Sequence, residues 1–176
     1  MQLLAFLLSL CFLLVPLGQK TDPYAHSALL NYYQTAAKDE KVAEEFHGLM
    51  EKYRGKDPLK LGYKAVSNAI MAKHVWSPYT KLKFLRTSSE VFEQAVALDT
   101  QDPEVRFLRF TIENSIPRYL NMSGHLAEDK KVFMAAILRY PRSNMPVESI
   151  KIMRDYLLRK DLVTGEERQR VENLNL

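Results

Sequence analysis

Proline directly after a polar residue recurs along this chain and restricts its fold more than any other feature. Four such dipeptides are Asp22-Pro23, Asp57-Pro58, Ser77-Pro78 and Asp102-Pro103. An Asp or Ser oxygen can accept hydrogen bonds from the free amides of a first helical turn, where proline removes no donor that the helix needs. Each dipeptide therefore predicts the start of a helix, as do Met145-Pro146 and the capping-box sequence Thr164-Gly165-Glu166-Glu167.

The hydrophobic pattern between these starts has the helical period. Val42, Phe46, Leu49 and Met50, for example, repeat at helical spacing. No Asn-Gly or Asp-Gly hairpin signal interrupts the chain. The sequence therefore predicts an all-α protein of seven or eight helices, arranged as antiparallel pairs because the connections are short. The expected ranges are 24–37, 40–53, 58–74, 78–98, 103–116, 125–140, 146–160 and 165–174.

The N-terminus predicts export. The first eighteen residues carry no charged side chain, and Leu3 to Leu17 is almost unbroken Leu, Phe, Val and Ala. This run is shorter than the ~20 residues of a membrane-spanning helix. We therefore expect a signal peptide at residues 1–19, a single all-α domain at residues 20–176 and a periplasmic location. The alternative is an uncleaved N-terminal membrane anchor.

The net charge and the cysteine content limit the partners and the chemistry that we expect of this chain. Cys11 is the only cysteine and lies in the predicted signal peptide, so we expect neither disulfides nor thiolate chemistry in the exported part. The net charge of +4 favours acidic proteins, acidic glycans or anionic lipid surfaces. No basic motif is interleaved with aromatic residues, so we expect no nucleic acid. A protein or peptide partner is expected, with peripheral membrane or envelope association as a further option.

Part of the sequence resembles a tetratricopeptide repeat. Ser88, Phe92 and Ala95, followed by Asp102-Pro103, resemble the second half of such a repeat, where small and aromatic residues let two helices pack and a proline opens the next unit. This resemblance covers about one repeat. It implies an array of helix pairs whose concave face binds a peptide or a partner protein.

A second resemblance extends across the centre of the chain. The residues that carry it are Asp102 to Phe110, Glu113-Asn114, Ile116-Pro117, Leu120 and Glu128-Asp129-Lys130. They are similar to a group of small exported helical proteins from Bacteroidetes bacteria. The resemblance implies a periplasmic setting and carries no activity over to this chain.

The predicted helix 103–116 has two apolar faces. Val105, Leu108, Ile112 and Ile116 fall on one side, whereas Phe107 and Phe110 fall on nearly the opposite side. A helix of this kind is usually buried between layers. The charged strip between the faces, Arg106, Arg109 and Glu113, must therefore be paired or line a cleft.

Two interpretations of this strip remain open. In the structural one, Arg109 pairs with Glu113 one turn away, and Arg106 pairs with a carboxylate such as Glu128 or Asp129. In the functional one, Arg106, Arg109 and Arg118 bind the carboxylate or phosphate of a small anionic ligand.

Catalytic and metal-binding motifs are weak or missing in the sequence. There is no Gly-x-Ser-x-Gly motif. Glu44, His47 and Glu51 have helical spacing, but His125 and Glu128 have the reverse of the order found in di-iron bundles, so we expect no metal and no cofactor. Paired carboxylates for glycan hydrolysis need no local motif, so that activity stays an alternative.

Five aromatic residues lie near the N-terminal helices. They either pack in the core and at helix ends or line a groove for a peptide or a sugar. They are Tyr32, Tyr33, Tyr63, Trp76 and Tyr79. The sequence as a whole predicts a non-enzymatic, exported binding or scaffolding module of the cell envelope. A small anionic-ligand carrier that uses Arg106 and Arg109, or an envelope-glycan hydrolase with dispersed carboxylates, is the alternative.

Overall fold

The computed structural model describes residues 22–176, which form eight α-helices, one short 3-10 turn and no strand. The all-α fold class and the helix number are confirmed for this part of the chain. The predicted signal peptide lies outside the described residues. The elements are α1 (His26–Thr35), α2 (Glu40–Glu51), α3 (Pro58–His74), α4 (Pro78–Leu98), α5 (Pro103–Ser115), the 3-10 turn (Arg118–Leu120), α6 (Leu126–Ile137), α7 (Val147–Arg159) and α8 (Gly165–Glu172).

Most of the predicted helix starts are confirmed by their caps. Asp57, Ser77 and Asp102 each accept hydrogen bonds from first-turn amides, at 2.8 to 3.4 Å. Thr164 and Glu167 complete the capping box that opens α8. Because these contacts join residues two or three positions apart, the local sequence was enough to predict them.

The helix predicted after Asp22-Pro23 is present as α1, but Asp22 does not cap it. The Tyr24 amide donates to Asp22 Oδ1 at 2.9 Å, which forms a turn, and α1 begins only at His26. Ala25 occupies the N-cap position and has no side-chain oxygen to cap the helix. The Asp carboxylate is therefore used in the turn before the helix.

The α2–α3 pair is antiparallel. Lys73 Nζ, at the end of α3, donates to the carbonyl of Ala37 just before α2 at 2.6 Å. Lys64, in the first half of α3, lies 3.8 Å from Glu51 at the end of α2. α3 also packs along α4, α5 and α1.

α5 lies between two hydrophobic clusters, as its two apolar faces predicted. Leu108 and Ile112 pack into a cluster with residues from α1 to α4. On the other face, Phe107 and Phe110 contact the ring of Phe133 on α6 at centroid distances of 5.4 and 5.2 Å. The charged strip therefore lies between two packed apolar faces, and its residues Arg106, Arg109 and Glu113 are shielded from water.

Three residues that carry the tetratricopeptide resemblance lie in the interior of the protein. Ser88, Phe92 and Ala95 are all buried on α4, where the helix packs against α3. The tetratricopeptide resemblance itself stays a prediction. Within residues 22–176, no helix combines the length and the apolar character needed to cross a membrane.

Candidate functional site

Arg109 and Asp129 form the buried centre of a group of charges whose outer members are partly exposed. We call this group the ion-pair cluster: Glu93, Arg106, Arg109, Glu113, His125, Glu128 and Asp129. Arg109 donates from Nε to Asp129 Oδ2 at 2.8 Å and from Nη2 to Asp129 Oδ1 at 2.7 Å. Its Nη1 donates to Glu93 Oε1 on α4 at 3.1 Å. Burial alone lowers the pKa of the Arg109 guanidinium, but the hydrogen bonds and charge of Asp129 outweigh it and raise the pKa.

Arg106 binds carboxylates on α6, as the structural interpretation predicted. Its Nη1 donates to Glu128 Oε1 at 2.7 Å and to Asp129 Oδ1 at 2.8 Å. Its Nε and Nη2 both donate to the Thr100 carbonyl, at 3.0 and 2.7 Å. The hydrogen bond and charge of Arg106 hold the pKa of the Glu128 carboxyl below its ordinary value. All three nitrogens of Arg106 are therefore engaged within the protein.

The predicted pair between Arg109 and Glu113 is not formed. Glu113 Oε2 accepts from the backbone amide of His125 at 2.9 Å, and its Oε1 lies 2.6 Å from His125 Nδ1. Ser123 Oγ donates to the Glu113 carbonyl at 2.7 Å, which holds this segment against the end of α5. The antiparallel register of α5 and α6 places Asp129 opposite Arg109, and the segment before α6 takes Glu113.

Arg118 is not part of the cluster. It lies exposed on the 3-10 turn, and among residues 22–176 no carboxylate is within ion-pair distance of it. Five of the six predicted residues thus come together, and Arg118 does not. Glu93, which lies on α4, and His125, which directly precedes α6, also belong to the cluster.

The geometry of the cluster favours a structural role. The side chains of Arg106 and Arg109 are each 3% exposed, and Asp129 is fully buried. Protein carboxylates and the Thr100 carbonyl already accept from the guanidinium nitrogens that an anionic ligand would need. Within the part of the chain that the structure describes, no three His, Cys, Asp or Glu side chains are placed to hold a metal ion together.

A separate cleft of about 510 Å³, which we call the Tyr33 cleft, opens between α1, α3, α5 and α7. Its lining combines apolar, aromatic, polar and charged side chains. They are Tyr33, Gln34, Ala37, Lys38, Val66, Ile70, Thr111, Ile112, Ser115, Ile152, Asp155, Tyr156 and Arg159.

The two tyrosines of the cleft are held in place by hydrogen bonds. Tyr33 Oη donates to Thr111 Oγ1 at 3.3 Å, and Tyr156 Oη accepts from Asn114 Nδ2 at 3.2 Å. Burial raises the pKa of Tyr33 to about 12, so its phenol stays neutral at physiological pH. The two tyrosines therefore give the cleft preformed aromatic walls, beside exposed side chains such as Lys38 and Arg159.

The aromatic residues singled out from the sequence have three different placements. Tyr33 lines the cleft. Tyr32 stacks on Phe46 at a centroid distance of 5.0 Å, and Tyr63 is buried in the core. Trp76 and Tyr79 are almost fully exposed. No local pattern predicted Tyr156 or Arg159 in the cleft, because only the packing of α7 on the earlier helices brings them there.

A second surface depression of about 550 Å³, the α6–α8 groove, lies on the C-terminal part of the molecule. The apolar residues of its lining are Ala127, Met134, Ala135 and Leu138. Its charged residues are Lys130, Lys131, Arg139, Glu167 and Arg170, of which Lys130 and Glu167 pair at 2.8 Å.

Comparison with known proteins adds no family to these observations. The sequence matches no protein-family model. It matches neither a curated protein nor a solved structure. The function is therefore inferred from the geometry of this chain.

Proposed function

We propose that the protein is a non-enzymatic, exported binding module of the cell envelope, which holds a short acidic segment of a partner protein in the Tyr33 cleft. The observation that carries this proposal is the cleft itself, with a volume of about 510 Å³ and a lining fixed by four helices. Ligand sites in proteins are commonly about 300–1,000 Å³ and combine apolar walls with a few placed polar groups.

The lining favours a peptide with both apolar and acidic side chains. Ile70, Ile112 and Ile152 supply apolar contact area, and the two tyrosines supply rigid aromatic area that costs little conformational entropy on binding. The exposed side chains of Gln34 and Ser115 can hydrogen-bond the peptide backbone. An apolar side chain of the partner would fill the cleft between these walls.

The charges at the cleft favour an acidic partner. Lys38 and Arg159 contribute two positive charges, whereas Asp155 contributes one negative charge. Arg159 is exposed at the end of α7, where its guanidinium can form the two-point hydrogen bonds that carboxylates accept. The cleft carries no information on location, so the proposal of export rests on the N-terminal segment without charged side chains.

The two alternative functions have less geometric support. An anionic-ligand carrier would use Arg106 and Arg109, which are buried and already bound to Asp129. A glycan hydrolase needs two carboxyl groups about 5–9.5 Å apart beside the substrate. The lining of the Tyr33 cleft includes one carboxylate, Asp155.

Selection of peptides from a random phage-displayed library against the full chain tests the proposal. We expect enriched peptides in which Asp or Glu lies next to Leu, Ile, Phe or Tyr. Each peptide is then synthesised, and its dissociation constant is measured by isothermal titration calorimetry. Arg159→Glu should weaken binding at least about tenfold, which corresponds to ~1.4 kcal/mol.

Lys160→Glu is the matched control, because it makes the same charge change as Arg159→Glu at the next position. Lys160 is exposed and does not line the cleft. It should leave the dissociation constant within about twofold, as expected for a charge that makes no direct contact. Failure to enrich any peptide, or equal binding by the Arg159→Glu variant, would overturn the proposal. Loss of binding with Arg170→Glu alone would place the site in the α6–α8 groove and would equally contradict it.

A further inference from the structure

The turn between α3 and α4 exposes two large aromatic side chains. Trp76 is 96% exposed and Tyr79 is 80% exposed. Trp76 directly precedes Ser77, the N-cap of α4, and Tyr79 belongs to the first turn of that helix. Tryptophan is highly buried on average in folded proteins, so a fully exposed one beside an exposed tyrosine indicates a contact surface. We call residues 73–83 the hairpin tip.

The positive charge of the chain is concentrated in α3 and α4, the two helices that the hairpin tip connects. From Pro58 to Ser89 there is no Asp or Glu, whereas six Lys and Arg residues occur: Lys60, Lys64, Lys73, Lys81, Lys83 and Arg86. The chain has 25 Lys and Arg against 21 Asp and Glu, so without these six the remainder has 19 against 21. The positive excess of the protein is therefore located in α3 and α4.

Half of these cations lie close to the exposed aromatic residues. Lys73 precedes Trp76 by three residues, and Lys83 follows the start of α4 by five residues, or roughly 8 Å along the helix axis. Lys73, Lys81 and Lys83 are all exposed. Lys81 and Lys83 thus lie within the Debye length of about 8–10 Å at physiological ionic strength from the start of α4, so their charges add to the attraction of a nearby anionic surface.

The neighbouring turn does not cancel this charge. Lys73 Nζ donates to the Ala37 carbonyl at 2.6 Å, and His74 Nε2 lies 3.0 Å from the Ala36 carbonyl. The residues that follow these carbonyls carry two cations and two carboxylates. They are Lys38, Asp39, Glu40 and Lys41.

We propose that the hairpin tip attaches the protein to a bilayer surface that contains anionic lipids, with Trp76 and Tyr79 at the depth of the headgroups. Indole and phenol rings are amphipathic and favour the membrane–water interface, while exposed lysines are attracted to anionic headgroups. Both rings are exposed at a turn and in the first turn of a helix, an arrangement that suits insertion into a flat, deformable surface. None of residues 73–83 lines the Tyr33 cleft, so this proposal does not rest on a peptide bound there.

Trp76 is the only tryptophan of the chain, so intrinsic fluorescence reports on the tip alone. The full chain is titrated with phosphatidylcholine vesicles that contain an increasing fraction of phosphatidylglycerol. We expect a blue shift of the Trp76 emission that grows with the anionic fraction and shrinks with added salt. Brominated lipids should quench this emission, because the ring lies at headgroup depth.

Charge-reversal variants separate the tip from the rest of the surface. Lys81→Glu with Lys83→Glu should reduce the vesicle affinity at least about tenfold, since both cations lie beside the inserted rings. The matched control combines Lys151→Glu on α7 with Lys160→Glu directly after it, which makes the same charge change at two exposed positions distant in sequence from the tip. The control should change the affinity less than about threefold, through net charge alone.

Three results would overturn the proposal. The first is an unchanged Trp76 emission with anionic vesicles, even if the protein sediments with them through another segment. The second is an equal shift with purely zwitterionic vesicles. The third is an equal shift with a soluble polyanion such as a heparin fragment, which would assign the tip to an acidic glycan. Arg159→Glu should affect these measurements no more than the control variant does, so failure of the cleft proposal is distinguishable from failure of this one.

Discussion

Arg109 on α5 binds Asp129 on α6 through two hydrogen bonds, of 2.8 and 2.7 Å, at a place where neither side chain is more than 3% exposed. This geometry joins two helices by a paired charge rather than by apolar contact alone. Taking two charges out of water is costly, so each depends on the presence of the other. The pair is therefore expected to matter most when only one partner is removed.

Removal of Arg109 should destabilise the fold severely. In the Arg109→Ala variant the fully buried Asp129 keeps only Arg106 as a cationic partner. We expect the free energy of unfolding to fall by about 3–5 kcal/mol, measured by urea denaturation followed by circular dichroism. Arg168→Ala removes a partly exposed cation paired with Asp161 and Glu172, and it should cost only ~0–1 kcal/mol. Equal, small losses for both variants would contradict the importance of the buried pair.

Replacement of both partners should be milder than replacement of one. Asp129→Leu alone leaves Arg109 buried with only Glu93 as an ion-pair partner, and we expect a loss of about 3–5 kcal/mol. Adding Arg109→Met removes this buried charge and should recover at least about 1 kcal/mol. A double-mutant cycle measures the coupling directly. Additive losses would show that the two side chains do not act as a pair.

The comparison of sequence and structure shows where local pattern stops being informative. The caps at Asp57, Ser77 and Asp102 depend on contacts within three residues, and the sequence predicted all three. The two apolar faces of α5 follow from the helical period alone. The choice of Asp129 rather than Glu113 as the partner of Arg109 depends on the register between α5 and α6, which no local pattern contains.

Long-range packing also explains what was missed at the candidate sites. Glu93 reaches Arg109 from α4, and Arg159 reaches the Tyr33 cleft from α7. Each belongs to a helix whose own sequence gives no indication of its neighbours. The prediction that Arg118 would join the other arginines was wrong because α5 ends at Ser115, which places Arg118 on a separate exposed turn.

Glu104 and Glu128 should have opposite effects on the pH dependence of stability. Burial raises the pKa of the Glu104 carboxyl above its ordinary value of 4.5, and nearby Ser149 and His26 offset only part of this effect. The folded state therefore binds more protons than the unfolded state as the pH rises from 4.5 through the folded pKa, and stability falls in that window. Glu104→Gln should remove this fall in stability, so the variant should be more stable at pH 7 than the unsubstituted protein.

The pKa of Glu128 is held below its ordinary value of 4.5 by Arg106, so its charge stabilises the fold above that pH and the benefit is lost as the pH falls through the folded pKa. Glu128→Gln should therefore lower the melting temperature at pH 7 and have little effect in strong acid. Thermal denaturation of both variants between pH 3 and 8 checks the pair of signs. The same sign for both substitutions at pH 7 would be inconsistent with the two environments.

Gly48 and Gly62 offer a matched test of how tightly α3 packs on α5. Both lie inside helices, where alanine is favoured over glycine by up to about 1 kcal/mol. A Cβ at Gly48 would meet nothing within 4 Å, whereas a Cβ at Gly62 would lie 3.3 Å from Leu108 Cδ1 and 3.5 Å from Val105 Cγ2. We expect Gly48→Ala to stabilise the protein by about 0.5–1 kcal/mol.

Gly62→Ala should give a smaller gain or a loss, because Leu108 must move to accommodate the new methyl group and the surrounding core is closely packed. Urea denaturation of the two variants under the same conditions measures the difference. A gain at Gly62 as large as that at Gly48 would mean that α5 can move away from α3 without cost. Since α5 also carries Arg106 and Arg109, such freedom would argue against the rigid placement of the ion-pair cluster.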